Sequence, residues 1–177
     1  GKCDTLSTML ADAHFTLYGA NEDGTIDKTN VIKVTKDTDA NGKYTYAEDQ
    51  NATDAITDVI TVGSGIDEKD YNLHINGLKA GVYYLEETQA PDGYNKLAAP
   101  VKVTIKKTGD TDYTVSTPNK QGVDTEEEDK IIDIENSTGS LLPSTGGRGA
   151  IAFGIVAAIL VFGVVVSFMR DKRKANL

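Results

Sequence analysis

The chain is poor in cysteine, in histidine and, over most of its length, in positive charge. It has one cysteine, Cys3, in 177 residues. That excludes an intrachain disulfide scaffold and any zinc site built from several thiolates. Cys3 reads as a structural or incidental thiol, since Lys2 is the basic group close to it in sequence. The two histidines, His14 and His74, sit in alternating, strand-like segments with no serine or cysteine constellation around them, which argues against a hydrolase. Residues 1–147 hold 13 Lys/Arg against 26 Asp/Glu, a net charge of -13. Such a body repels phosphate, so a nucleic-acid partner is excluded. The length allows one ordinary domain with something added, or two small ones.

Apolar residues and positive charge are instead concentrated at the C-terminal end. Residues 148–177 carry five basic residues and one acidic, and 17 of the 20 residues in 150–169 are apolar. That run, AIAFGIVAAILVFGVVVSFM, has neither charge nor proline. Twenty helical residues span about 30 Å, the thickness of a bilayer core, so the run predicts a transmembrane helix. The basic cluster Arg170, Lys172, Arg173 and Lys174 follows in residues 170–177 and predicts a cytoplasmic tail, with the acidic body outside. No hydrophobic segment stands near Gly1, and an exported body needs an export signal. The expectation is a piece of a longer precursor whose signal lies upstream.

Before the run, within a linker over 138–149, stands Leu142-Pro143-Ser144-Thr145-Gly146. LPxTG, an apolar span and a short basic tail, in that order, resemble the sorting signal of Gram-positive surface proteins. The resemblance implies a sortase as partner, cutting between Thr145 and Gly146 through a thioester on its own cysteine. An amine on a cell-wall precursor or on a neighbouring subunit would then take over the Thr145 acyl group. It also implies that the membrane holds the chain only before sorting, and that the mature protein is anchored at the cell wall.

Residues 1–137 read as one all-β domain. Short alternating segments recur at 13–18, 30–35, 43–47, 56–62, 71–75, 82–88, 100–107, 112–117 and 130–136, with turn residues between them. This spacing predicts a β-sandwich. Residues 50–58 predict a turn or a short helix, and the acidic run 124–129 a solvated loop.

Side chains alternate between the faces of a strand. Tyr83, Leu85 and Glu87 therefore share one face, and Ile132, Ile134 and Asn136 share another. If these faces turn inward, a carboxyl group and a carboxamide are buried with them. A buried carboxylate is costly, so Glu87 is expected to be protonated or paired.

Tyr83-Tyr84-Leu85-Glu86-Glu87-Thr88-Gln89-Ala90-Pro91-Asp92-Gly93-Tyr94 matches the pattern YxLxETxAPxGY, and Ala13–Tyr18 matches AxFxLY. These segments resemble the E-box and early strand of Cna B-type, immunoglobulin-like (prealbumin-like) domains of Gram-positive pilins. The resemblance implies an isopeptide bond between a lysine on the first strand and an asparagine on the last, promoted by the E-box glutamate. It assigns Glu87 as promoter and Asn136 as acceptor. Lys2 is the favoured nucleophile, because Lys2-Cys3-Asp4 resembles a first-strand KxD segment, and Lys36 is the alternative. The chemistry suits these groups, since burial favours a neutral amine and a protonated carboxyl can polarise a carboxamide.

The function implied is a subunit of a covalently polymerised pilus serving adhesion, with neighbouring pilin subunits and a host or matrix ligand as partners. The alternative is a wall-anchored adhesin in which this domain is a stalk. No cofactor and no metal are expected. Asp37, Asp39, Asn41, Gly42 and Glu48 fit a calcium-loop pattern, but strand-like flanks and the Asn41-Gly42 pair predict a hairpin there. Asn51-Ala52-Thr53 and Asn136-Ser137-Thr138 match a glycosylation acceptor, which a Gram-positive source makes irrelevant.

Overall fold

The computed structural model describes residues 9–68, 71–138 and 159–168, the last as backbone. Its strands are β1 (His14–Ala20), β2 (Ile26–Ile32), β3 (Val34–Lys36), β4 (Lys43–Tyr46), β5 (Asp58–Ile60), β6 (Leu73–Leu78), β7 (Gly81–Gln89), β8 (Val101–Lys107), β9 (Tyr113–Pro118), β10 (Asp124–Glu126), β11 (Ile131–Ser137) and β12 (Ile159–Phe168). A single 3-10 turn, Ile66–Glu68, is the helical element among the described residues.

The strands form two sheets. One has seven strands in the order β10-β9-β8-β7-β1-β2, with β5 beside β2 on the free side of β1. The other runs β11-β12-β6-β4-β3. Alternation explains the packing. Phe15, Leu17, Leu85, Val103, Ile105 and Val115 of the first sheet are buried against Val34, Leu73, Ile75, Leu78, Ile132 and Ile134 of the second. Each fully buried side chain of this size contributes about 1.5–3 kcal/mol.

Each of the nine alternating segments contains a strand, with instructive departures. Segment 30–35 is broken at Lys33, where the chain leaves β2 in one sheet and enters β3 in the other. The Gln50 side chain holds that crossing point, accepting from Lys33 N at 2.7 Å and donating to Lys33 O at 3.0 Å. The acidic run is not wholly loop, because its first three residues form β10 on the edge of the larger sheet, all exposed. Residues 50–58 form turns that lead into β5, not a helix. Residues 37–42 form the β3–β4 hairpin loop, with Asp37 N donating to Lys43 O at 3.0 Å and Gly42 at a φ of 80°. Lys43 pairs with Asp67 at 2.6 Å.

The apolar run departs most from expectation. The described part of 150–169 is not helical: Ile159–Phe168 is strand β12, antiparallel to β11 and parallel to β6. No helix among the described residues is long and apolar enough to cross a membrane. Periodicity alone does not separate a short apolar strand from a segment of apolar helix. Five of the ten residues in ILVFGVVVSF are β-branched, which suits a strand. The rest of the expected helix, the tail 170–177 and the sorting motif lie outside the described residues.

Candidate functional site

Strand β7 carries Glu87 into the sandwich from one sheet, and β11 carries Asn136 into it from the other. Leu85 and Glu87 point inward because they share parity, as do Ile132, Ile134 and Asn136. Glu87 is 2% exposed and Asn136 1% exposed. Glu87 lies opposite Phe15 of β1, whose ring is fully buried. The carboxyl thus enters an apolar setting.

The two polar side chains meet there. Asn136 Nδ2 donates to both Glu87 oxygens, each at 2.9 Å, and to the Asn95 carbonyl at 2.9 Å. Leu97 N donates to Glu87 Oε2 at 2.8 Å. Asn136 Oδ1 is buried with no hydrogen-bond partner among the described residues. Burial pushes the Glu87 carboxyl above the ordinary carboxylate range, against the opposing pull of the Leu97 amide and the Asn136 side chain. A cavity of about 350 Å³ is lined by Glu87, Lys96, Leu97 and Pro100.

The stretch after the turn at Pro91–Tyr94 supplies the two partners that sequence reasoning missed. Tyr94 N donates to Pro91 O at 3.0 Å, Tyr94 bridges to Thr138, and Asn95 N donates to Ser137 O at 2.8 Å. These bonds lay residues 94–97 across the end of β11, where the Asn95 carbonyl and the Leu97 amide reach the buried pair. Backbone groups of a loop leave no composition signal. The available hint was the turn chemistry of Pro91-Asp92-Gly93 directly after β7.

The other sequence-predicted residues fall elsewhere. Lys36 is exposed at the end of β3, separated from β11 by β4, β6 and β12. The structure does not bring it to Asn136. Lys2 and the motif Leu142, Pro143, Ser144, Thr145 and Gly146 lie outside the described residues. His14 Nδ1 contacts Asp58 Oδ2 at 2.8 Å across β1 and β5. His74 stands on β6, edge-on to Tyr71, and burial lowers its pKa. Among the described residues no three His, Cys, Asp or Glu side chains are grouped to hold a metal.

With this geometry in view, residues 48–121 match the model of the SpaA prealbumin-like fold domain. The body is an all-β, prealbumin-like sandwich. A curated relative, the fimbrial subunit type 1 of Actinomyces viscosus, is 32% identical over 128 residues. The match takes in 64% of this chain and 21% of that relative, so the chain spans about a fifth of its length. No solved structure matches.

Proposed function

We propose that this chain is part of a cell-surface pilus subunit, and that its sandwich is closed by an isopeptide bond between Lys2 and Asn136. The observation that carries the reading is the buried Glu87–Asn136 contact, in a body similar to a pilin domain and to a fimbrial subunit. The subunit role is structural, and the chain acts as substrate to the sortase that joins it to its neighbours.

In the bond-forming step the neutral Lys2 amine attacks Asn136 Cγ. The new N–C bond replaces the bond from Cγ to Nδ2, and Nδ2 leaves as ammonia. The leaving nitrogen takes up one proton and the attacking nitrogen gives one up. Glu87, within 2.9 Å of Nδ2, is placed to deliver the first and collect the second. Burial raises the Glu87 pKa, which favours the protonated carboxyl that this role requires. Asn95 O and Leu97 N fix the two side chains against each other, so little reorganisation precedes attack.

Sorting follows from the sequence at Leu142–Gly146. The Thr145 acyl group passes through the sortase to an amine of the next subunit or of a wall precursor, and the apolar run and basic tail stay behind in the membrane. Intact mass tests the bond, since sorted chain should weigh one ammonia less than its sequence and Glu87→Ala should restore the full mass. Wall extracts test the assembly. A ladder of high-mass species, lost when Thr145→Ala blocks cleavage, supports the pilus. A single wall-linked band instead identifies an adhesin stalk.

A further inference from the structure

The loop that reaches the buried pair holds it from either side of a single residue. The Asn95 carbonyl accepts from Asn136 Nδ2 at 2.9 Å, and the Leu97 amide donates to Glu87 Oε2 at 2.8 Å. The residue between them is Lys96, whose backbone is therefore tied on one flank to Asn136 and on the other to Glu87. Lys96 is exposed, and it lines the same cavity as Glu87, together with Glu86 and Thr88.

The other charged groups near Glu87 are turned away or already paired. On β7, Glu86 has the opposite parity and pairs with Lys28 of β2. On β1, Phe15 lies opposite Glu87, while His14 contacts Asp58 of β5. On β11, Asn136 is neutral, and Asp133 and Glu135 are exposed with the opposite parity. Among the described residues Lys96 is the cation that acts on Glu87. Burial raises the Glu87 carboxyl, and the Leu97 amide, the Asn136 side chain and the Lys96 charge pull it back. The first two pull through hydrogen bonds, and Lys96 pulls by Coulomb attraction.

A group that shuttles a proton must release it as well as hold it, and works best with a proton affinity near the operating pH. Burial alone favours holding. We propose that Lys96 is a positioning residue for Glu87: its ammonium, tethered at the shared cavity by the Asn95 and Leu97 backbone, steadies the ionised carboxyl so that Glu87 can give up its proton. The chemical use of this balance rests on the isopeptide reading above. When Nδ2 leaves as ammonia, Glu87 has handed it a proton and stands as a carboxylate facing Lys96. The proton given up by the attacking nitrogen then restores the neutral carboxyl.

The test measures the titration of Glu87 directly, in the full chain carrying Lys2→Ala so that no bond intervenes. Carbon-13 NMR of carboxyl-labelled glutamate follows the group, with its line identified by its loss in Glu87→Gln. Lys96→Gln should move the midpoint to higher pH, because the carboxylate loses its cation. Lys96→Arg should leave the midpoint in place, because the charge is kept. A midpoint unmoved by Lys96→Gln, or moved equally by Gln and Arg, overturns the proposal, the second result because it would trace the shift to side-chain shape. Intact mass of sorted chain with Lys2 present separates this from the bond itself. Loss of one ammonia together with an unmoved midpoint overturns the role of Lys96 and leaves the bond reading intact. A midpoint raised by Gln and kept by Arg, with no ammonia lost from wild type, supports the role of Lys96 and removes the bond reading.

Discussion

At the residue scale the molecule is built around one unfavourable burial. Glu87 sits between Phe15 and Asn136 with its pKa raised by burial above the 4.5 of a free carboxyl. The folded chain therefore binds this proton more tightly than the unfolded chain does. Stability from the group is fully present below the unfolded value and is lost as pH rises through the folded one. Glu87→Gln removes the titration while keeping an acceptor for Leu97 N. Made in a Lys2→Ala background, so that no bond intervenes, the variant should gain stability over its Glu87 parent as pH rises from 4.5 towards neutrality. Urea unfolding at several pH values measures this, and parallel stability curves for the two proteins would contradict it. Parity along two short strands made the inward direction of Glu87 and Asn136 legible in the sequence. Their mutual contact was not legible, because it depends on which strands of opposite sheets face each other. The Asn95 and Leu97 backbone groups were further out of reach, since a loop path has no period.

At the scale of elements, turn chemistry decides where the strands begin. Gly42 ends the β3–β4 loop at a φ of 80°, and a Cβ there would lie 3.0–3.1 Å from the Ile66 and Val62 side chains. Gly24 has a similar φ of 84° but nothing within 4 Å of a Cβ. Gly24→Ala should therefore cost only the backbone term, about 1–2 kcal/mol, and Gly42→Ala should exceed it. Denaturant midpoints of the two variants test the difference, and equal shifts would show that the hairpin loop yields freely. Asn72 makes a second element-scale prediction. It is fully buried, and its Nδ2 ties Leu10 O and Val62 O to the start of β6. Asn72→Ala leaves the Val62 carbonyl short of a donor and should cost about 1–3 kcal/mol, read from the shift in thermal or urea unfolding. The inner strands were readable because one face is apolar and the other polar. The first half of β2 and all of β10 were not, because edge strands hold polar and charged side chains that look like loop. For β12 the failure runs the other way. Its ten residues carry no apolar–polar alternation, so the run does not distinguish a strand from a membrane helix.

At the scale of the whole molecule, the scarcity of cysteine leaves the sandwich without an oxidised cross-link, and a bond from Lys2 to Asn136 would take that place. It would close a loop of well over a hundred residues. By the chain-entropy argument used for disulfides, such a closure contributes about 4–5 kcal/mol through the unfolded state. For a domain of this size each kcal/mol is worth about 2–4 °C in melting temperature, so the closed form should melt about 10–20 °C above the open one. Glu87→Gln supplies the open form with little change to the folded contacts, because Gln can still accept from Leu97 N. The comparison is made on chain freed of the apolar run. Calorimetry of that material should show wild type melting in the higher range with one ammonia missing from its mass, and Glu87→Gln melting lower at full mass. A wild type that has lost its ammonia but melts with the variant would mean that the unfolded chain is already held compact. The bond's value would then lie in resistance to pulling, since a strand joined covalently to its neighbour cannot be sheared from the sheet.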